Sequence, residues 1–226
     1  MPAWKVGSGE VTNTVLLKRM AQTGKPVLLS SGMSSLEQLD RAVEVIRAEG
    51  APFMLFQCTS KYPCPPEDLG LEGMAQLRDR YGVPVGFSDH SGVIHAGIAA
   101  ATLGASALEV HIAMSRDCFG PDVSSSLIPG EFAQMVEGVR FVERAAEGSY
   151  DRESMAAGMA EMQTMFGRSV VAARALPAGT VLTAEDLTVK KPGGGIPPDG
   201  LEALVGCTLV EGLDIDDLVT REVVEG

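Results

Sequence analysis

Five short apolar runs, each closing on hydroxyl, acidic or imidazole side chains, constrain this chain more than any other feature. They are AWKVGSGE from Ala3, PVLLSSGM from Pro26, PFMLFQCTS from Pro52, PVGFSDH from Pro84 and ALEVHIAM from Ala107. Near-continuous apolar runs of this length suit parallel strands buried on both faces, and the segments between them carry helical periodicity. In SSLEQLDRAVEVIRAEG (Ser34 to Gly50), Ser35 stands as an N-cap and Gly50 as a stop, and IPGEFAQMVEGVRFVERAAEG (Ile128 to Gly148) is a second such segment. Consecutive β-α units at this period predict an α/β fold, either a doubly wound sheet or part of a (β/α)8 barrel, which takes ~250 residues when complete. No GxGxxG follows the first run, which speaks against a dinucleotide fold.

The pattern changes after Gly148. Residues 149–167 form a polar, Met-rich connector, and over 168–226 short β-prone pieces alternate with Pro-Ala-Gly, Pro-Gly and Glu-Gly turns. This predicts a (β/α) domain over 1–148 and a small β-rich domain over 168–226. A length of 226 residues, 45% of them hydrophobic, is enough for both. A net charge of −12 leaves no basic surface for nucleic acid or an anionic membrane, and no apolar run approaches the ~18 residues of a membrane span. Cys58, Cys64, Cys118 and Cys207 show no CxxC pairing, and the N-terminus carries no charged-then-apolar leader. Both features predict a reduced, cytoplasmic protein.

Polar residues gather at the carboxyl ends of all five runs, the edge on which α/β sheets and barrels build active sites. His90 and His111 close adjacent strands, which lie ~4.8 Å apart, so their imidazoles either converge on one divalent cation or form a hydrogen-bonded core pair. Without cysteine, such a pair suits Mn²⁺, Fe²⁺, Co²⁺ or Zn²⁺. Lys5, with the hydroxyls of Ser8, Ser30 and Ser88, makes an anion pocket for phosphate or carboxylate. KKPGGGI (Lys190 to Ile196) lacks the Gly-Lys-Ser/Thr ending of a phosphate loop and reads as a mobile turn or flap, and Asp122 in Gly-Pro-Asp reads as a turn residue.

The motifs KVGSGE, GKPVLLSSGM, CTSKYP, GFSDH, EVHI and GPD stand in the order and spacing of the sialic acid (N-acetylneuraminate) synthase family, which the chain resembles over essentially its whole length. SVVAARALPAGTVLTAEDLTVKKPGGGIPP resembles that family's antifreeze-like (SAF) domain. The resemblance implies strands 4–8 of a TIM (β/α)8 barrel followed by a SAF domain. It implies condensation of phosphoenolpyruvate with an N-acylated amino sugar such as N-acetylmannosamine, forming a carbon–carbon bond and releasing phosphate. A divalent metal would assist, typically Mn²⁺, with Mg²⁺ or Co²⁺ as alternatives.

On the matching positions, His90 and His111 would hold the metal and Lys5, Ser8, Ser30, Ser60 and Ser88 would bind phosphoenolpyruvate. Glu10, Tyr62 and Asp122 would contact the sugar, with Glu10 or Asp122 orienting or protonating the new hydroxyl. Lys191 stands where the family commonly has an arginine that reaches the sugar in the partner subunit of a domain-swapped homodimer. Lysine keeps that charge and loses the bidentate fork. The resemblance begins at the family's fourth strand, so the chain is expected to be a C-terminal part of the enzyme, inactive by itself. A non-catalytic SAF-bearing fragment that binds sugar or a partner subunit is the alternative expectation, and a legionaminate-like or spore-coat sugar acid is an alternative product.

Overall fold

The computed structural model describes residues 1–226, which divide into two compact units, Met1–Gly148 and Ser149–Gly226. In the first, six parallel strands lie in one sheet in chain order: β1 (Trp4–Val6), β2 (Val27–Ser30), β3 (Phe53–Cys58), β4 (Val85–Asp89), β5 (Leu108–Ile112) and β6 (Ser126–Leu127). Helices α1 (Thr14–Ala21), α2 (Leu36–Ala48), α3 (Gly73–Tyr81) and α4 (Ile94–Thr102) make the crossovers, and α5 (Pro129–Glu147) follows β6. A doubly wound sheet reverses its strand order, whereas this one never does, so the unit is an arc of half a barrel. Five strands were legible as apolar runs. The sixth pairs only His111 with Ser126 and Ile112 with Leu127.

Local sequence explains the helices. In α2 the Ser35 hydroxyl accepts from the Gln38 N–H at 3.3 Å while Gln38 Oε1 accepts from the Ser35 N–H at 2.9 Å, a reciprocal cap. Leu39, Ala42, Val43 and Ile46 recur at helical spacing and are all buried, the three larger ones contributing roughly 1.5–3 kcal/mol each. Gly50, at φ +70°, lets the chain leave the helix.

Alternation along each strand then sorts the two faces of the sheet. Val6, Val27, Leu29, Leu55, Val85 and Phe87 face the helices and form the core with Leu17, Leu39, Ile46 and Met74. The opposite face receives Lys5, Ser30, Cys58, Ser88 and Glu109. The register makes that row continuous, because Ser30 pairs with Phe56, Cys58 with Ser88 and Ser88 with Glu109.

In the second unit β7 (Ser169–Ala172) pairs antiparallel with β8 (Leu187–Lys190), and β9 (Thr208–Leu209) with β10 (Val224–Glu225). Its core holds Val170, Ala172, Leu176, Leu182, Leu209 and Val219, and the short helix α8 (Leu201–Leu204) adds Leu204. The connector contains two short helices, α6 (Arg152–Gly158) and α7 (Ala160–Phe166), neither with a buried residue. The glycine-rich loop after β8 is pinned rather than free. Gly193 N–H donates to Thr164 O at 2.7 Å, Gly195 N–H donates to Ser169 Oγ at 2.9 Å, and that hydroxyl donates to Pro192 O at 3.0 Å. No helix of either unit is long and apolar enough to cross a membrane.

Candidate active site at the carboxyl edge of the sheet

Where the polar row reaches the carboxyl edge of the first unit, it opens into a cavity of about 330 Å³ lined by Lys5, Ser8, Ser30, Ser60, Tyr62, Ser88, His90 and His111. Met33, Cys58 and Glu109, with Gly7 and Gly9, complete the wall. Lys5 leaves β1 into the sheet face. Its ammonium donates to Ser30 Oγ at 2.6 Å and lies 3.2 Å from Glu109 Oε1. Ser88 Oγ donates to the same Glu109 oxygen at 2.8 Å. A half-buried line of charge therefore crosses from β1 to β5, with Glu109 at its centre. Glu109 stands in the run ALEVHIAM, where no motif assigns it a role in the site. The signal that identifies it is its alternation partner His111, two residues on and on the same face.

The floor is set by a missing side chain. A methyl group at Gly32 would lie 2.5 Å from Ser60 Oγ, 2.6 Å from Ser8 Oγ and 2.9 Å from Cys58 Sγ. Gly32 instead donates its N–H to Ser8 Oγ at 3.1 Å, so the chain itself approaches the hydroxyls that a ligand would meet.

At the other end, β4 and β5 bring His90 and His111 side by side, with ring centroids 5.2 Å apart. His90 is buried and its Nδ1 lies 2.8 Å from Thr59 O. A carbonyl can only accept, so Nδ1 carries the proton and the neutral ring keeps its lone pair on Nε2. A backbone carbonyl that fixes the tautomer in this way is the usual outer partner of a metal-binding imidazole. His90 and His111 therefore fit as two donors to a divalent cation. No third histidine, cysteine or carboxylate joins them in a metal-binding group, which leaves the remaining positions to water or ligand oxygens.

Tyr62 stacks on His90 and places its hydroxyl 3.1 Å from Nε2. Its loop is fastened to the strand end by the Cys64 N–H, which donates to His90 O at 2.9 Å. Partial burial, reinforced by Cys58 and the carboxylates of Asp122 and Glu109, pushes the Tyr62 phenol above its ordinary pKa, so it is a donor at neutral pH.

The remaining expected residues stand elsewhere. Glu10, in a short 3-10 helix (Ser8–Glu10), is exposed, accepts from Asn13 Nδ2 at 2.7 Å and does not line the cavity. Asp122 lies outside the lining as well, its carboxylate 3.9 Å from His111 Nδ1, beyond hydrogen-bond reach. Asp89 also turns away: its carboxylate accepts from Ser91 N and Ser91 Oγ, each at 2.9 Å, while burial pushes its pKa up. Lys191 belongs to the second unit, where its ammonium lies 5.3 Å from the centre of the Phe166 ring.

The NeuB family model matches residues 1–151 and the SAF domain model residues 167–222. Human N-acetylneuraminate-9-phosphate synthase is 38% identical over 228 residues, covering 100% of this chain and 63% of the human protein. The N,N'-diacetyllegionaminic acid synthase of Campylobacter jejuni is 31% identical, covering 96% of this chain and 65% of its own. The chain thus spans less than two thirds of the length of these relatives. The crystal structure of an N-acetylneuraminic acid (sialic acid) synthetase from Leptospira borgpetersenii in complex with citrate superposes with a TM-score of 0.66. It is 29% identical and covers 72% of this chain and 57% of that one.

Proposed function

The chain belongs to the NeuB family and carries a SAF domain, and on that premise we propose that its cavity serves a nonulosonic acid synthase reaction. In that reaction phosphoenolpyruvate condenses with an N-acylated amino sugar and phosphate is released. The observation that carries the proposal is the unbroken line Ser30–Lys5–Glu109–Ser88, which ends beside two imidazoles in one cavity. One end suits a small anion and the other a cation.

Lys5, Ser30 and Ser88 bind and orient the anionic groups of phosphoenolpyruvate, with Ser8 and Ser60 completing the hydroxyl wall around Gly32. Glu109 holds the Lys5 ammonium and the Ser88 hydroxyl in place. His90 and His111 hold a divalent metal, for which Mn²⁺ is the choice. When bound, the metal supplies Lewis-acid polarisation of the open-chain sugar's aldehyde, toward which C3 of phosphoenolpyruvate is directed. Tyr62 offers its hydroxyl to the sugar. A domain-swapped homodimer, with Lys191 reaching the partner's sugar, belongs to the same proposal.

The test has a binding arm and a turnover arm. Phosphoenolpyruvate should bind with Lys5 engaged, so Lys5→Ala weakens its Kd by about 10- to 100-fold, the worth of a hydrogen bond to a charged group. In the full-length enzyme, with Mn²⁺ and an N-acylmannosamine present, phosphate release should require both substrates and collapse in His90→Ala. Equal phosphoenolpyruvate affinity in Lys5→Ala, or wild-type turnover in His90→Ala, overturns the proposal.

A further inference from the structure

We infer that the Tyr62 hydroxyl is a latch on the one nitrogen of His90 that can take a metal, an inference that rests on the metal role proposed above. Thr59 O fixes the ring proton on Nδ1 at 2.8 Å, so the neutral imidazole has a single lone pair, on Nε2. That lone pair already accepts the Tyr62 proton across 3.1 Å. It cannot serve a proton and a cation together, so a metal reaches His90 only when the phenol lets go.

The surrounding geometry makes release a local event. The two rings are stacked, with centroids 4.1 Å apart and planes inclined by 26°, so the tyrosine covers the imidazole as well as bonding to it. Tyr62 is nevertheless 49% exposed, and it lines the cavity rather than the core. Its ring can turn without opening an apolar void. The Cys64 N–H to His90 O bond at 2.9 Å keeps the loop attached meanwhile.

The exchange has a consequence for ligand order. In the latched state the phenol proton is committed to His90. In the released state the same hydroxyl, which lines the cavity, is free for an oxygen of the second substrate. Metal binding thus creates the hydrogen-bond donor that the oxygen-rich substrate needs, and it precedes that substrate.

Calorimetry with Mn²⁺ alone on the full chain tests the latch without any turnover. Tyr62→Phe keeps the stacked ring and deletes the hydroxyl, so Mn²⁺ should bind about 2- to 10-fold more tightly, the net worth of one hydrogen bond. A Co²⁺ titration followed by visible absorption gives a second reading and should saturate at lower Co²⁺ in that variant. Unchanged or weaker affinity in Tyr62→Phe, with affinity still dependent on His90, overturns the latch alone. Undiminished Mn²⁺ binding in His90→Ala overturns the metal role and the latch with it.

Discussion

Glu109 and Gly32 show how the candidate site is tuned one side chain at a time. The Glu109 carboxylate sits 3.2 Å from the Lys5 ammonium and so competes with any anion for that charge. Glu109→Gln keeps an acceptor for Ser88 and removes the competing charge. Because both groups are part-exposed, the pair contributes at most a modest ion-pair energy. Phosphoenolpyruvate affinity in Glu109→Gln should therefore rise by up to about fivefold, measurable by calorimetry, and a fall would show that the hold of Glu109 on Lys5 outweighs its competition with the anion. Gly32→Ala should act in the opposite direction. Its methyl group meets Ser60 Oγ, Ser8 Oγ and Cys58 Sγ inside contact distance, so thermal unfolding should show a loss of about 1–3 kcal/mol together with loss of anion binding. Neither effect is visible in the motifs. KVGSGE and EVHI display Lys5 and Glu109 more than a hundred residues apart, and only the register of β1 to β5 brings them together.

At the scale of elements, strands β1 to β5 were legible because each is an apolar run bounded by proline or by polar residues, and α2 because its cap and buried stripe are both local. Strand β6 was not legible, since two residues carry no alternation and its pairing with β5 is decided by the 3-10 turn (Val123–Ser125) before it. Helices α6 and α7 lie in the segment that reads as connector for a similar reason: Met155, Met162 and Met165 are all exposed, so no face announces itself as interior. In the second unit the turn before β8 makes an acid-sensitive clasp. Asp186 is 2% exposed and accepts from Thr183 Oγ1 at 2.7 Å, from Thr183 N at 2.9 Å and from Arg174 Nε at 2.9 Å. The Thr183 hydroxyl leads these in holding its carboxyl below the usual range. A depressed carboxylate stabilises the fold above its unfolded pKa of about 4, and that contribution is lost as pH falls through the lower folded value. Melting temperatures followed from pH 6 downward should therefore drop less steeply in Thr183→Ala than in the wild type, and an identical slope would remove Thr183 from the clasp.

Across the whole molecule, the formal charge of −12 opposes the approach of the small anion proposed for the cavity. The attraction at Lys5 is short-ranged and half-buried, whereas the repulsion is long-ranged and readily screened, with a Debye length falling from about 30 Å at 0.01 M to about 8 Å at 0.15 M salt. Stopped-flow measurements should thus find the association rate constant of phosphoenolpyruvate rising with ionic strength over that range, the reverse of electrostatic steering. A rate that falls would mean that local attraction dominates the approach. The strand that carries Lys5 offers the means of watching it. Trp4, the only tryptophan in the chain, precedes Lys5 in β1, and its indole N–H donates to Thr23 Oγ1 at 2.8 Å. Alternation turns the indole to the opposite face of the sheet, so the chain has an intrinsic fluorophore one residue from the ammonium yet out of the ligand's reach. Its emission reports whether β1 stays seated when the pocket fills, and no dye or label need be attached.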